Sequence, residues 1–178
     1  MILDGGMGHL LRRNGVDISG PIGTMERFRG VARANRDSPD IVLHSHLQFL
    51  RSGADVITTN TYACVPAALA TDSGGSPDDV VELLQAGGAL AARARDIAVS
   101  EGLSHARPLV AGCLPPLHET YRPDRVGDYD ELSSTYRMIV DAVAPSSDVL
   151  LCETMHSTAE AFAAAEAASA AGIPVWVS

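Results

Sequence analysis

The chain has 178 residues, of which 46% are hydrophobic and 20% charged, and a formal charge of −9. These proportions predict one ordinary globular domain, and the acidic balance without a basic run excludes a nucleic-acid surface, which needs clustered Lys and Arg. The apolar runs are of strand length, too short to span a membrane, and "MILDGG" carries no charged leader region, so a cytoplasmic protein is expected.

In chain order, Met1–Asp4 reads as a strand end, and Met7–Asn14 reads as a short helix that stops at Gly15. Residues 16–30 mix Gly, Pro, Ser and charges without a period and read as loop. Ser38-Pro39-Asp40 opens a helix with a hydroxyl cap, proline at the first helical position and an acid on the positive end of the dipole. Leu43, Leu47 and Leu50 give that helix its apolar stripe, and Gly53 ends it. "DVITT" (55–59) is a β-branched strand. Ser76-Pro77-Asp78-Asp79 repeats the helix start for a long helix ending at Gly102. Within it, Gly87-Gly88 weakens the middle by about 1 kcal/mol per glycine, which points to close packing or a bend.

"PLVAG" (108–112) is the next strand. A Pro-rich loop follows, and then a helix carrying Leu132, Tyr136, Ile139, Val140 and Val143. "DVLLC" (148–152) is a continuous apolar strand, and Ser157-x-x-Glu160 is a capping box that opens an Ala-rich helix ending at Gly172. "PVWVS" (174–178) is a last strand. Alternating β and α with apolar strands predicts a parallel sheet covered by helices on its faces. Right-handed crossovers then gather the carboxyl ends of the strands on one side, where ligands bind in such folds. Those ends are Asp4, Thr59-Asn60, Gly112-Cys113, Glu153 and Ser178.

"ILDGGMG" is compatible with a phosphate cradle, a tight turn, or a strand end that places Asp4 in a site. Its glycines fit neither the dinucleotide nor the Walker spacing, and an acid before them repels a phosphate. The glycines are expected to let the chain turn sharply out of the first strand. Asp4 and Glu153 at one mouth suit a ligand ammonium, although isolated acids at strand ends also cap turns. Thr58, Thr59, Asn60, Thr61 and Tyr62 form a polar set beside them, which turn chemistry also explains.

"ILDGGMG", "GADVITTNTY", "LVAGCLPPLHETYRPD" and "LLCETMHSTAEA" together resemble successive blocks of the homocysteine S-methyltransferase family, across essentially the whole chain. The last two blocks are most similar to stand-alone members that use a sulfonium donor such as S-methylmethionine. The resemblance implies a (β/α)8 TIM barrel that transfers a methyl group to the homocysteine thiol and makes methionine. It implies that Asp4 and Glu153 hold the homocysteine ammonium and that Thr59, Asn60 and Thr61 line the pocket. It also implies a zinc ion held by three cysteines, which in the family lie in "GxNC"-like and "GGCC"-like segments absent from this sequence.

Cys64, Cys113 and Cys152 are too far apart for a disulfide framework or a usual zinc module. Strand alternation sends Cys152 to the face opposite Glu153, whereas Cys64 and Cys113, read as loop residues, could approach the mouth. His44 and His46 point to different sides of a helix; His118, His156, Arg122 and Asp124 lie in mouth-side loops or turns. The absence of lysine excludes a Schiff-base enzyme such as a class of aldolase. Five strands and four crossovers fit in 1–178, against eight strands and about 250 residues for a closed barrel. The chain is therefore expected to be the N-terminal part of one homocysteine-binding barrel domain, with the zinc ligands in the missing half. Its expected partners are homocysteine and a methyl donor, with no nucleic acid or membrane; a dimer completing the barrel is an option. The alternative function is a non-catalytic remnant that binds an amino acid or a protein.

Overall fold

The structure is a computed structural model that describes residues 1–22, 24–70, 77–103, 106–118 and 121–178. Its described residues form the helices α1 (Met7–Arg13), α2 (Met25–Asp37), α3 (Pro39–Arg51), α4 (Pro66–Leu69), α5 (Pro77–Ser100), α6 (Tyr129–Val143) and α7 (Thr158–Ser169). The strands are β1 (Val56–Thr58), β2 (Leu109–Leu114), β3 (Val149–Cys152) and β4 (Val175–Val177), paired in that order. Every pair is parallel, with Ile57 against Val110, Gly112 against Leu150 and Leu151 against Trp176. This is the α/β architecture expected from the alternation of strand and helix signals.

Strand alternation divides the core in two. Val56, Ala111, Val149 and Leu151 are buried on one face of the sheet, with Leu109 and Trp176 packed against them. On the other face, Ile57 and Val110 pack on α3 and α5 through Leu47, Leu50, Ala91, Ala94 and Ala98. Leu150 and Cys152 pack on α6 and α7 through Ile139, Val140, Ala163 and Ala164. Burial at about 25 cal/mol per Å2 of apolar surface drives this layering.

Three sequence expectations need correction. The expected first strand is reduced to a single parallel bridge, Leu3 to Val56, with Asp4 N–H donating to the Val56 carbonyl at 3.0 Å. Residues 25–30 are not loop but the first turns of α2, capped by Thr24, whose hydroxyl accepts from Arg27 N–H. The buried positions of α2 are Arg27, Val31, Ala32, Ala34 and Asn35, so two of the five are polar and escape a hydrophobic count. The capping box at α7 is half made: Ser157 Oγ accepts from Glu160 N–H at 3.1 Å, but the Glu160 carboxylate is buried and accepts from Leu117 N–H at 2.8 Å. The expected cap at Ser76 lies outside the described residues.

Gly87-Gly88 is a close-packing device. Helix α5 passes through both residues without interruption. A Cβ on Gly87 would sit 2.7 Å from Asn35 Nδ2 and 3.2 Å from the Asn60 carbonyl, so only glycine lets α5 approach the end of β1.

Candidate functional site

The site is assembled at the carboxyl end of the sheet. The Leu3 bridge brings Asp4 beside β1, where its two carboxylate oxygens accept from Thr58 N–H and from Thr58 Oγ1, each at 2.9 Å. On β3, Glu153 continues the ladder past Cys152, its N–H donating to the Leu114 carbonyl at 3.0 Å. Odd-numbered positions 149, 151 and 153 share one face, so Glu153 follows Leu151 into the interior, away from Cys152. The next residue, Thr154, has φ 60°. A β-branched residue in the left-handed region is strained, and such strain collects at functional sites.

Asp4, Glu153, Thr58, Thr59 and Asn60 line a single cleft of about 320 Å3. Its apolar wall is built by Met7, Phe28, Val31 and Ala63, and Arg27 also lines it. Burial pushes the Asp4 carboxyl up to about 6, helped by the charge of Glu153 and opposed by the two Thr58 hydrogen bonds. The cleft therefore concentrates negative charge in a poorly solvated place and favours a cation that can bond to both carboxylates.

Thr59 and Asn60 lie in the cleft wall, but the Thr59 hydroxyl and the Asn60 side-chain nitrogen have partners within the protein. Thr59 Oγ1 accepts from Cys113 N–H at 3.0 Å, and Thr61 Oγ1 donates to the Cys113 carbonyl at 3.1 Å. The 2.7 Å contact between the two hydroxyls is then donated by Thr59. Asn60 Nδ2 donates to the Val31 carbonyl at 3.1 Å and to Asn35 Oδ1 at 2.8 Å, and Asn35 Nδ2 returns a bond to the Asn60 carbonyl at 2.8 Å. Thr61 is fully buried and sits behind the cleft. Sequence reading singled out these residues for their polarity, and the geometry makes them the frame that joins β1, β2 and α2.

The glycines of "DGGMG" sit close to neighbouring side chains and have no unusual backbone. Positive φ among glycines occurs at 15, 20, 53, 102 and 172, and not at 5, 6 or 8. A Cβ on Gly5 would meet Phe49 at 3.3 Å, and one on Gly8 would meet Val31 at 3.3 Å. The expected sharp turn is an ordinary one made close to its neighbours.

All three cysteines are buried and free. Cys113 lies on β2 and not on a loop, and its thiol donates to Glu153 Oε2 at 3.1 Å. Burial first, and then the Glu153 charge, holds Cys113 well above the usual thiol range; burial also pushes Cys64 up to about 12 and Cys152 up to about 11. These are protonated thiols, whereas zinc takes thiolates. Among the described residues no three His, Cys, Asp or Glu side chains gather to hold a metal, so the residues present do not fit the family's zinc site.

The remaining sequence candidates stay outside the cleft. His44 is exposed, while His46 is buried without a hydrogen bond and burial lowers it to about 3. His118 faces Glu131 and His156 faces Glu160. Arg122 clamps Asp124 around Pro123 on the surface, at 2.6 and 2.8 Å.

A parallel α/β sheet with a carboxylate-lined cleft at its carboxyl end is the arrangement of a barrel-type ligand-binding domain. The homocysteine S-methyltransferase family model matches residues 1–178, and the chain belongs to that family. It is similar to betaine-homocysteine S-methyltransferase of Drosophila melanogaster, 32% identical over 76% of this chain and 44% of that one. It is 28% identical to homocysteine S-methyltransferase 1 of Brassica oleracea, over 99% of this chain and 56% of the relative. The metallated crystal structure of homocysteine methyltransferase MmuM from Escherichia coli superposes with a TM-score of 0.86 at 26% identity, covering 100% of this chain and 62% of that one. The chain thus spans about half the length of the curated relatives it matches. Among the described residues no helix is long and apolar enough to cross a membrane.

Proposed function

We propose that the chain forms the homocysteine-binding part of a homocysteine S-methyltransferase, in which a donor such as S-methylmethionine supplies the methyl group and methionine is the product. One observation carries this reading: Asp4 and Glu153 line a single cleft together with the apolar side chains of Met7, Phe28, Val31 and Ala63. The two carboxylates would take the ligand ammonium by charge-assisted hydrogen bonds, the stronger kind. Cys113 holds Glu153 Oε2, which leaves Glu153 Oε1 for the ligand. Met7, Phe28, Val31 and Ala63 offer the methylene chain and sulfur an apolar wall. Thr59, Asn60 and Thr61 serve the pocket as its frame.

Zinc dependence, a place in methionine biosynthesis and a cytoplasmic location belong to the same proposal, with the metal held by residues outside these 178. Calorimetric titration of the chain with L-homocysteine at neutral pH tests the reading. Binding that weakens by about tenfold or more in both Asp4→Asn and Glu153→Gln is expected, since each removes a charge-assisted bond. Absence of homocysteine binding to the wild-type chain would refute it. A second reading, an amino-acid-binding chain without turnover of its own, is favoured by the three protonated thiols. Methionine formation by this chain with zinc, homocysteine and S-methylmethionine would exclude that second reading.

A further inference from the structure

Among the described residues the Cys113 thiol is the one group that donates a hydrogen bond to the Glu153 carboxylate, 3.1 Å from Oε2. Sheet register explains why these two side chains meet. Cys113 pairs with Leu151 across β2 and β3, and Glu153 stands two residues beyond Leu151 on the same face. The backbone at Cys113 is fixed on both sides, with Thr59 Oγ1 accepting from its N–H and Thr61 Oγ1 donating to its carbonyl. A fully buried thiol is thus held at a set place and aimed at a carboxylate of the cleft.

Two carboxylates that face one ammonium repel each other while the cleft is empty. The charge of Glu153 is felt at Asp4, whose carboxyl it helps to push up. Each acid therefore needs a donor that keeps it from turning away. Asp4 has two, the N–H and Oγ1 of Thr58, each at 2.9 Å. Glu153 has Cys113, and a thiol is a weak donor that gains strength from a charged acceptor. The longer side chain, with one more rotatable bond, thus depends on the weaker anchor. A buried cysteine otherwise packs as a small hydrophobe, so the fold itself does not require this bond.

We propose that Cys113 is the positioning residue of Glu153, its thiol pinning Oε2 so that Oε1 stays turned to the ligand ammonium beside Asp4. Cys113 does not line the cleft and acts through the carboxylate alone. Its proton is part of the role, because only the thiol form donates; burial first, and then the Glu153 charge, keeps that proton in place. Affinity for the ligand ammonium then depends on a side chain that the ligand never touches. The inference rests on the proposed amino-acid substrate and adds the group that sets the geometry of its ammonium site.

Two measurements test the assignment. Calorimetry with L-homocysteine compares wild type, Cys113→Ala and Cys113→Ser, and repeats Cys113→Ala in a Glu153→Ala background. Cys113→Ala is expected to weaken homocysteine by about fivefold or more, and Cys113→Ser, which keeps a donor, to recover part of the loss. In the Glu153→Ala background the same substitution should change affinity by less than about twofold, because no carboxylate is left to hold. Infrared spectroscopy of the ligand-free chain reads the contact itself and needs no alanine at 113. The S–H stretching band that Cys113→Ser removes should move to higher frequency in Glu153→Ala, as its hydrogen bond is lost. Equal weakening in both backgrounds would make Cys113 a packing residue and overturn the assignment, and so would an unmoved band in Glu153→Ala. Homocysteine binding that Cys113→Ala leaves unchanged refutes this assignment alone. Absence of homocysteine binding to wild type refutes the substrate reading, and this assignment with it.

Discussion

Asp4 carries a cost of burial that a bound cation would offset. Its carboxyl is pushed up to about 6, chiefly by burial, even though Thr58 gives it two hydrogen bonds. An ammonium binds the ionised form, so affinity is set by the ionised fraction of the free protein. Homocysteine affinity is expected to fall about tenfold between pH 7 and pH 5, and Asp4→Asn, already weak, to be flat over that range. Stability has the opposite sign. The folded carboxyl holds its proton to higher pH than the unfolded one, at 3.8. Between pH 4 and 6 the native state therefore binds more protons, and the wild-type chain loses stability as pH rises while Asp4→Asn does not. Urea unfolding of both proteins at pH 4.5 and 6.5 reads this directly. At Thr154 the strain is in the backbone, at φ 60°. Thr154→Gly removes about 1–3 kcal/mol of strain and returns about 1 kcal/mol of unfolded-state entropy, so the melting temperature rises. Homocysteine affinity is expected to drop in that variant, because Glu153 loses a rigid neighbour; a rise in stability with unchanged affinity would separate the strain from the site.

At the scale of elements, α2 and α5 decide whether the cleft has a wall. Gly87 lets α5 come against the Asn35–Asn60 pair, and that pair ties α2 to the end of β1. Gly87→Ala gains helix propensity of about 1 kcal/mol but overpacks a site with no room, at about 1–3 kcal/mol. Net destabilisation with weaker homocysteine binding is expected, measured by thermal melting and calorimetry. An alanine at Gly102, where nothing lies within 4 Å but φ is +64°, would cost stability without touching binding. The sequence makes Gly87-Gly88 visible as an anomaly, because a glycine pair inside a capped apolar helix has to mean contact or bend. It also makes α3, α5, α6 and α7 visible through proline, acidic and serine starts and through leucine spacing. It hides α2. There the inward positions are Arg27 and Asn35 as well as Val31 and Ala34, and polar side chains carry a helix period only when a partner or ligand is known to wait for them. The carboxylate pair could be read from strand ends alone, since parity and right-handed crossovers fix where they point. Glu160 could not: its local capping role is outweighed by the unpaired N–H of Leu117, which only the tertiary fold brings near.

At the scale of the whole molecule, the sheet has two open sides among the described residues. One is the Leu3 bridge, with Ile2 63% and Leu3 45% exposed, and the other is β4, with Val177 55% exposed. Unpaired apolar strand edges are templates for another strand, and natural proteins protect them with charge or cover. Neither protection is visible at Val175–Val177, a short run of β-branched and aromatic residues. The relatives continue beyond the length matched here; in this chain alone the two open edges invite a second copy. Sedimentation velocity of the wild-type chain is expected to show association that grows with concentration. Val177→Lys should suppress it by placing an uncompensated charge on the edge, without loss of helical circular dichroism, because Val177 reaches solvent and not the core. A wild-type chain that stays monomeric at high concentration would show that β4 is protected by its own twist and shortness. Association that survives the lysine would move the contact to the Ile2–Leu3 side, and Ile2→Lys then tests it by the same measurement.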